Sequence, residues 1–355
     1  MKNYMASYPS GLRDRFAKPP FAGSNPADAS KMCPGDGIGR HDGLKIRWLN
    51  KPWRFESALG HFNLKKGIKM KKNIILYSIT LFLFGCSQSN QSNDDFIGDW
   101  VIFNYIKYDK KETFENLLME QVYPAIYSYQ DSSDEVNTAN KKAQKYNRFF
   151  RPIQMNEDST WTFVFMADPL VKYATTTIGK PLLQKYGEEG ATKVFDIWRS
   201  CFTEKGQESF VGNDLEFKGK KNNTKTQPGE KVMFGLNYIK YDKNYQFENV
   251  VMNEIFPTMF DYRDPSDELH KLNQMALEEM RFLKPNKINQ DSTWTFLFMG
   301  DRFVDDANYY IGKPFIQKYG EEKAGEVLKE KGGNDSFARG QVLFLVEEVD
   351  ISVFK

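Results

Sequence analysis

"NYIKYDK" at Asn104–Lys110 is written again at Asn237–Lys243, an offset of 133 residues (237 less 104). The same offset relates "DSTWTF" from Asp158 to Asp291, "IGKP" from Ile178 to Ile311, and "QKYGEE" from Gln184 to Gln317. Between residues 104 and 189 about half of the positions match their counterparts, with no gap needed. Self-similarity of this length marks one folding unit present twice. The expected boundaries are 98–218 for copy one, 219–230 for a polar linker rich in Gly, Asn and Lys, and 231–355 for copy two.

Each copy has a readable element order. Val101–Asp109 and Val232–Asp242 are rich in aromatic and β-branched residues and predict strands covered on both faces. Phe114, Leu117, Leu118, Val122, Ala125 and Ile126 fall at helical spacing, and Pro124 (with Pro257 in copy two) bends or ends that helix. A second helix is expected from Asp264-Pro265-Ser266-Asp267, with Asp264 as its cap, continuing through Leu269, Leu272, Ala276, Met280 and Leu283. A hairpin follows, Arg281–Ile288 and Thr293–Met299 about a turn at Asn289-Gln290-Asp291. Pro314 opens a further helix interrupted at Gly320, and Gln341–Ile351 closes the copy as a strand. Strand, helices, strand, strand, helices, strand is the βαββαβ order of a ferredoxin-like unit.

In "TWTFVFMAD" and "TWTFLFMGD" neither set of alternating residues is charged, so both sheet faces need cover. Two copies could supply it by packing sheet on sheet. The expected fold is therefore α+β: two tandem ferredoxin-like βαββαβ repeats packed as an intrachain pseudo-dimeric α+β barrel. Such a pairing resembles the dimeric α+β barrel superfamily over most of residues 98–352. That superfamily includes haem-degrading monooxygenases, other small-molecule oxygenases, haem peroxidase-like enzymes and many proteins with no known reaction. Its monooxygenase pattern sets an Asn on the first strand and a Trp on a later strand beside a haem-ligating His on a following helix. The resemblance implies ligand-binding roles for Asn104 with Trp161 and for Asn237 with Trp294. It departs from the pattern in having no His in 168–190 or 301–320. Histidine-ligated haem is not expected, and no other cofactor is implied.

Other chemistries find little support. No Cys/His cluster stands at metal-ligand spacing and no acidic loop has calcium-binding periodicity, so no metal site is expected. Of three histidines only His270 lies beyond residue 61, and no motif recruits it to a catalytic triad; it reads as a helix-surface residue. Asp109, Asp168, Asp242 and Asp301 stand at strand ends, where aspartate commonly caps or turns. No catalytic residue is assigned. Asn104, Lys107, Asn237, Lys240, Arg148 and Arg281 interrupt apolar strands, which suits hydrogen bonding inside the fold or the polar points of an aromatic-walled cavity. Asp158-Ser159-Thr160 and Asp291-Ser292-Thr293 resemble a short O-glycosylation acceptor and equally suit a turn.

From Met70 the chain reads MKKNIILYSITLFLFGC, two lysines before an apolar run too short to span a bilayer. Leu83-Phe84-Gly85-Cys86 resembles the bacterial lipobox, although Phe84 is bulky for its place. The resemblance implies a signal peptide at 70–85, lipidation at Cys86 as a membrane anchor, and location in the cell envelope, at the outer membrane of a Gram-negative bacterium. The polar run 86–97 then serves as a tether. Residues 1–69 read as a mis-assigned or disordered leader: Gly23-Ser24-Asn25-Pro26 is what GGT-TCG-AAT-CC would encode, a string resembling the T-loop arm of a transfer RNA gene. The chain from Cys86 holds 34 basic against 42 acidic residues (49 less 15, and 47 less 5), a net charge of −8. An acidic body argues against nucleic acid as a partner. Beyond Cys86 the chain has one cysteine, Cys201, which excludes a disulfide within it and reads as a small apolar helix residue. The expected function is non-enzymatic binding of a small apolar or aromatic ligand, or of a protein partner. The alternative is a cofactor-free oxygenase-like enzyme of the dimeric α+β barrel type.

Overall fold

The computed structural model describes residues 95–221, 225–330 and 333–355. The expected leader, signal peptide and lipidation at Cys86, and the expected tether up to residue 94, lie outside the described residues, as does part of the expected linker. Copy one contributes strands β1 (Phe96–Ile106), β2 (Asn147–Pro152), β3 (Trp161–Val171) and β4 (Phe202–Asp214). Copy two contributes β5 (Lys231–Lys240), β6 (Met280–Pro285), β7 (Thr293–Gly300) and β8 (Val342–Val349). All pair antiparallel, in the order β1-β3-β2-β8-β5-β7-β6-β4, and the ring closes.

This corrects the expected architecture. Two ferredoxin-like sheets stacked face to face as a pseudo-dimer would leave β2, β4, β6 and β8 as edges. Instead β2 bonds to β8 from Phe149↔Val349 to Pro152↔Val346, and β4 bonds to β6 at Gly212↔Pro285, Asn213↔Lys284 and Asp214↔Leu283. One closed eight-stranded sheet results. Closure satisfies edge N–H and C=O groups that stacking leaves bare. Uncharged strand faces are compatible with either solution, which is why the pattern alone pointed to the wrong one. The β4–β6 seam is tight enough to demand glycine, since a Cβ on Gly212 would stand 2.6 Å from Lys284 O.

Alternation sorts the side chains into two sets. Val101, Phe103 and Tyr105 of β1, Val164 and Met166 of β3, and Phe234, Leu236 and Tyr238 of β5 point inward and fill the barrel. Trp100, Ile102 and Asn104, with Phe163, Phe165 and Ala167, point outward towards the helices of copy one.

Those helices are α1 (Lys111–Leu117), α2 (Tyr123–Ser128), α3 (Asp134–Ala143) and α4 (Gly179–Cys201); copy two has α5 (Asn244–Val250), α6 (Phe256–Asp261), α7 (Asp267–Glu278), α8 (Gly312–Tyr319) and α9 (Glu321–Glu330). Pro124 and Pro257 are accommodated by widening the preceding turn, Leu118–Val122 or Val251–Ile255, into a π-helical turn. The cap of α7 is Ser266, whose hydroxyl accepts from Leu269 N at 3.3 Å; Asp264 instead accepts from Ser266 N and Tyr262 OH. Met280 and Leu283, read as helical, belong to β6. Gly187 (φ 68°) breaks α4 where Gly320 (φ 81°) separates α8 from α9. Cys201 ends α4 fully buried, and burial pushes its thiol pKa up.

One end of the barrel is locked by buried ion pairs that cross between copies. Arg148 of β2 grips Asp301 with both terminal nitrogens, at 2.9 and 2.7 Å, and reaches Glu348 of β8 at 2.7 Å. Arg281 of β6 reciprocates with Asp99 at 2.6 Å, Asp168 at 2.7 Å and Asp214 at 2.8 Å. Burial works to raise the Asp168 and Asp301 carboxyls, but the guanidiniums beside them prevail and hold both below the usual carboxylate range. Asp99 behaves differently: burial pushes it up to about 8 against the pull of Arg281, with Asp168 adding to the rise. Five carboxyls face two guanidiniums and the ammoniums of Lys220 and Lys225 here, and keeping one proton on Asp99 relieves the excess.

That proton has a consequence for stability. Folded Asp99 keeps it up to about pH 8, whereas the ordinary aspartate value is 3.8, so between these limits the unfolded chain binds fewer protons. The contribution of this group is full below the lower value and is lost as pH rises through the upper one, at no more than about 1.4 kcal/mol per pH unit. Urea midpoints of wild type and Asp99→Asn, compared at pH 5 and pH 8, should show the difference between the two proteins growing in favour of the variant at pH 8. A constant difference would contradict the assignment.

Candidate functional site

A cavity of about 900 Å³ lies between the outer face of the copy-one sheet and the helices over it and runs on to the β6–β7 turn of copy two, Lys287–Asp291, and Arg339. Sheet alternation supplies its floor: Trp100 and Ile102 from β1, Phe165 and Ala167 from β3, Phe149 from β2. Trp100 and Phe165 meet edge to face, with centroids 5.9 Å apart. The roof comes from the π-helical turn and α2, through Leu118, Val122, Tyr123 and Ile126. Tyr123 packs on Phe149 at 5.5 Å, and burial raises its phenol pKa well above the usual range. Aromatic and aliphatic walls of this kind suit an apolar or aromatic guest.

The polar points are mostly neutral amides and hydroxyls. Asn104 is buried in the floor; Phe163 O takes one of its N–H groups at 3.3 Å, and its oxygen accepts from Gln207 Nε2 of β4 at 2.6 Å. These bonds fix which way the amide faces. Asn147 of β2, Asn140 and Gln144 beside α3, and Thr175–Thr177 complete the polar lining. Asn140 Oδ1 accepts from Thr175 N at 2.7 Å, which ties that loop to α3. The charged lining residues are Arg199, Glu208, Lys287, Asp291 and Arg339. The barrel interior is packed, and the space lies on the helix side.

The four residues read as a site are therefore not brought together. Asn104 lines the cavity. Trp161 leaves the sheet on the same face but does not line it; its indole N–H donates to Tyr108 O at 3.0 Å, and the Lys111 ammonium sits 4.2 Å above its ring. Asn237 is buried in copy two, donating to Gly235 O and Phe296 O and accepting from Gln341. Trp294 donates to Tyr241 O at 3.1 Å, matching Trp161. Lys107 donates to Ser200 O in the last turn of α4 at 2.9 Å, and Lys240 to Asp335 O in the loop before β8 at 2.8 Å.

Gln144, Asn147 and Thr176 are not legible from positions that the copies share. The informative positions are those where the copies differ. Gln144 faces Leu277 as its counterpart, Asn147 faces Met280, Thr176 faces Tyr309, Trp100 faces Met233. Leu277 and Met280 are core residues of copy two. At these places copy one thus presents the polar points of a hollow, and copy two packed apolar contacts.

No protein-family model matches the chain. No curated protein matches it either. Among solved structures it is similar to a monooxygenase-like protein of Fusobacterium nucleatum subsp. nucleatum, at 10% identity and a TM-score of 0.34, covering 71% of this chain and 92% of that one. A second monooxygenase-like protein, from Lactobacillus acidophilus, aligns at 9% identity and a TM-score of 0.30, covering 70% and 92%. A mutant chlorite dismutase from Candidatus Nitrospira defluvii aligns at 10% and 0.29, covering 72% and 93%. At such identities and scores these likenesses carry no argument about this chain.

Proposed function

We propose that this protein binds a small, neutral, largely aromatic molecule without transforming it, in the helix-covered hollow of copy one, while a lipid on Cys86 holds it at the cell envelope. One observation supports the reading above the rest. At matching positions of a duplicated scaffold, copy one keeps amides and hydroxyls where copy two has leucine, methionine and tyrosine. Gln144 also serves the fold, donating to Tyr127 O at 3.4 Å as Gln274 donates to Phe260 O in copy two, so the contrast rests on Asn147 and Thr176, where apolar or aromatic packing holds copy two at the same places. Amides without a buried charge favour a neutral guest over an anion or a cation. A volume of about 900 Å³ would accommodate two to four fused or linked rings, within the usual range for ligand sites.

The test is a titration with 1-N-phenylnaphthylamine, a neutral apolar fluorophore. Saturable enhancement at one equivalent, competed by other neutral polycyclic aromatics, is the expected result; absence of saturable binding would remove the proposal. A second reading, cofactor-free oxygenase-like chemistry, draws on Asn104, whose oriented amide stands on the cavity floor. It requires dioxygen uptake with an electron-rich polycyclic aromatic, abolished by Asn104→Ala, and fails if no uptake is measured.

A further inference from the structure

In copy one, Thr176 stands at the cavity wall; its counterpart in copy two is Tyr309. The backbone that carries the two residues is held alike, since Asn273 Oδ1 accepts from Asn308 N at 2.7 Å just as Asn140 accepts from Thr175. What differs is the strand before it, β3 running to Val171 where β7 ends at Gly300, and the side chain with the room made for it. Tyr309 stacks on Phe303 with centroids 5.0 Å apart, where copy one has Leu170. Its ring lies 3.7 Å from the place a Cβ would take on Gly300, where copy one has Ala167. Its hydroxyl accepts from Val304 N at 2.8 Å. Leu170 and Ala167 are walls of the copy-one cavity, so Tyr309 rests on the surface a ligand would touch. Three fixed contacts make it a packed part of the core rather than a mobile lid.

We propose that copy two holds the same aromatic-binding site in closed form, with Tyr309 as its plug, so that one chain takes one neutral aromatic molecule. This rests on the function proposed above and goes beyond it in stoichiometry and in naming the residue that decides it. Thr176→Tyr should close the open site, and Tyr309→Thr should open the closed one.

Titration with 1-N-phenylnaphthylamine, with stoichiometry counted by native mass spectrometry, separates the outcomes. Wild type should bind one equivalent, Thr176→Tyr should bind roughly 100-fold more weakly, as expected when a contact surface is filled rather than trimmed, and folded Tyr309→Thr should bind a second. Two equivalents on wild type would overturn the plug and leave the proposed function standing, whereas none would overturn the function itself. Unchanged affinity in Thr176→Tyr would overturn the plug, and so would a single equivalent on Tyr309→Thr with an unaltered circular dichroism spectrum. Should Tyr309→Thr fail to fold, the Thr176→Tyr arm decides alone.

Discussion

Arg148→Ala should lower unfolding free energy by about 3–5 kcal/mol, the cost of breaking a buried pair while leaving its partners charged. Asp301 and Glu348 would remain buried, at 3% and 8% exposure, facing no guanidinium except the more distant Arg281, 3.4 Å from Asp301. Arg281→Ala should cost less, although that guanidinium touches more carboxylates. Lys225 stands 3.2 Å from Asp168 and Lys220 2.9 Å from Asp214, so two of its partners keep a cation. Asp99 is the third, and it can remain protonated. Arg148→Lys should fall between wild type and Arg148→Ala, since a point charge cannot reproduce the two-nitrogen grip on Asp301. Urea unfolding at pH 7 measures all three. Equal losses for the two alanine variants would mean that the lysines do not compensate, and the reasoning about the cluster would be wrong.

Trp100→Met should weaken binding of a neutral aromatic probe by roughly 30-fold, about 2 kcal/mol. The estimate combines lost apolar contact with the lost ring-on-ring geometry, each about 1 kcal/mol. Methionine is the copy-two residue at this position, Met233, so the substitution has a precedent in the same scaffold. The protein should therefore stay folded while its affinity falls, which a parallel thermal melt would establish. Trp161→Phe serves as the control. Trp161 is off the cavity and tied to Tyr108, so its replacement should leave affinity within about twofold. An equal effect of both substitutions would place the probe elsewhere.

Much of the local structure was legible in the sequence. The 133-residue offset found the two copies, and alternation in β3 and β7 foretold strands covered on both faces. Boundaries slipped where side-chain chemistry was ambiguous. Asp264 and Ser266 both suit a cap, and the backbone geometry chose Ser266. Met280 fits an apolar helix stripe as well as the first position of β6. Barrel closure was not legible, because it depends on β4 meeting β6 and β2 meeting β8, partners set by long-range geometry and not by pattern. Gly212 is the one residue that recorded the close approach. Arg148 and Arg281 were visible as charges inside apolar strands, but their carboxylate partners lie in the other copy, up to 200 residues away. The cavity was not legible for a related reason. Shared residues such as Asn104 and Asn237 mark what the scaffold needs, and the amide pair with Gln207 or Gln341 is present in both copies. Divergent pairs, Gln144 against Leu277 and Thr176 against Tyr309, mark where the copies do different things.

The most direct test of the central claim is an anomalous difference map from crystals soaked with 2-bromonaphthalene. The account predicts one bromine peak per chain, between the Trp100–Phe165 floor and the Val122–Ile126 roof. A peak inside the barrel, a matching peak beside Tyr309, or no ordered bromine at saturating probe would contradict it.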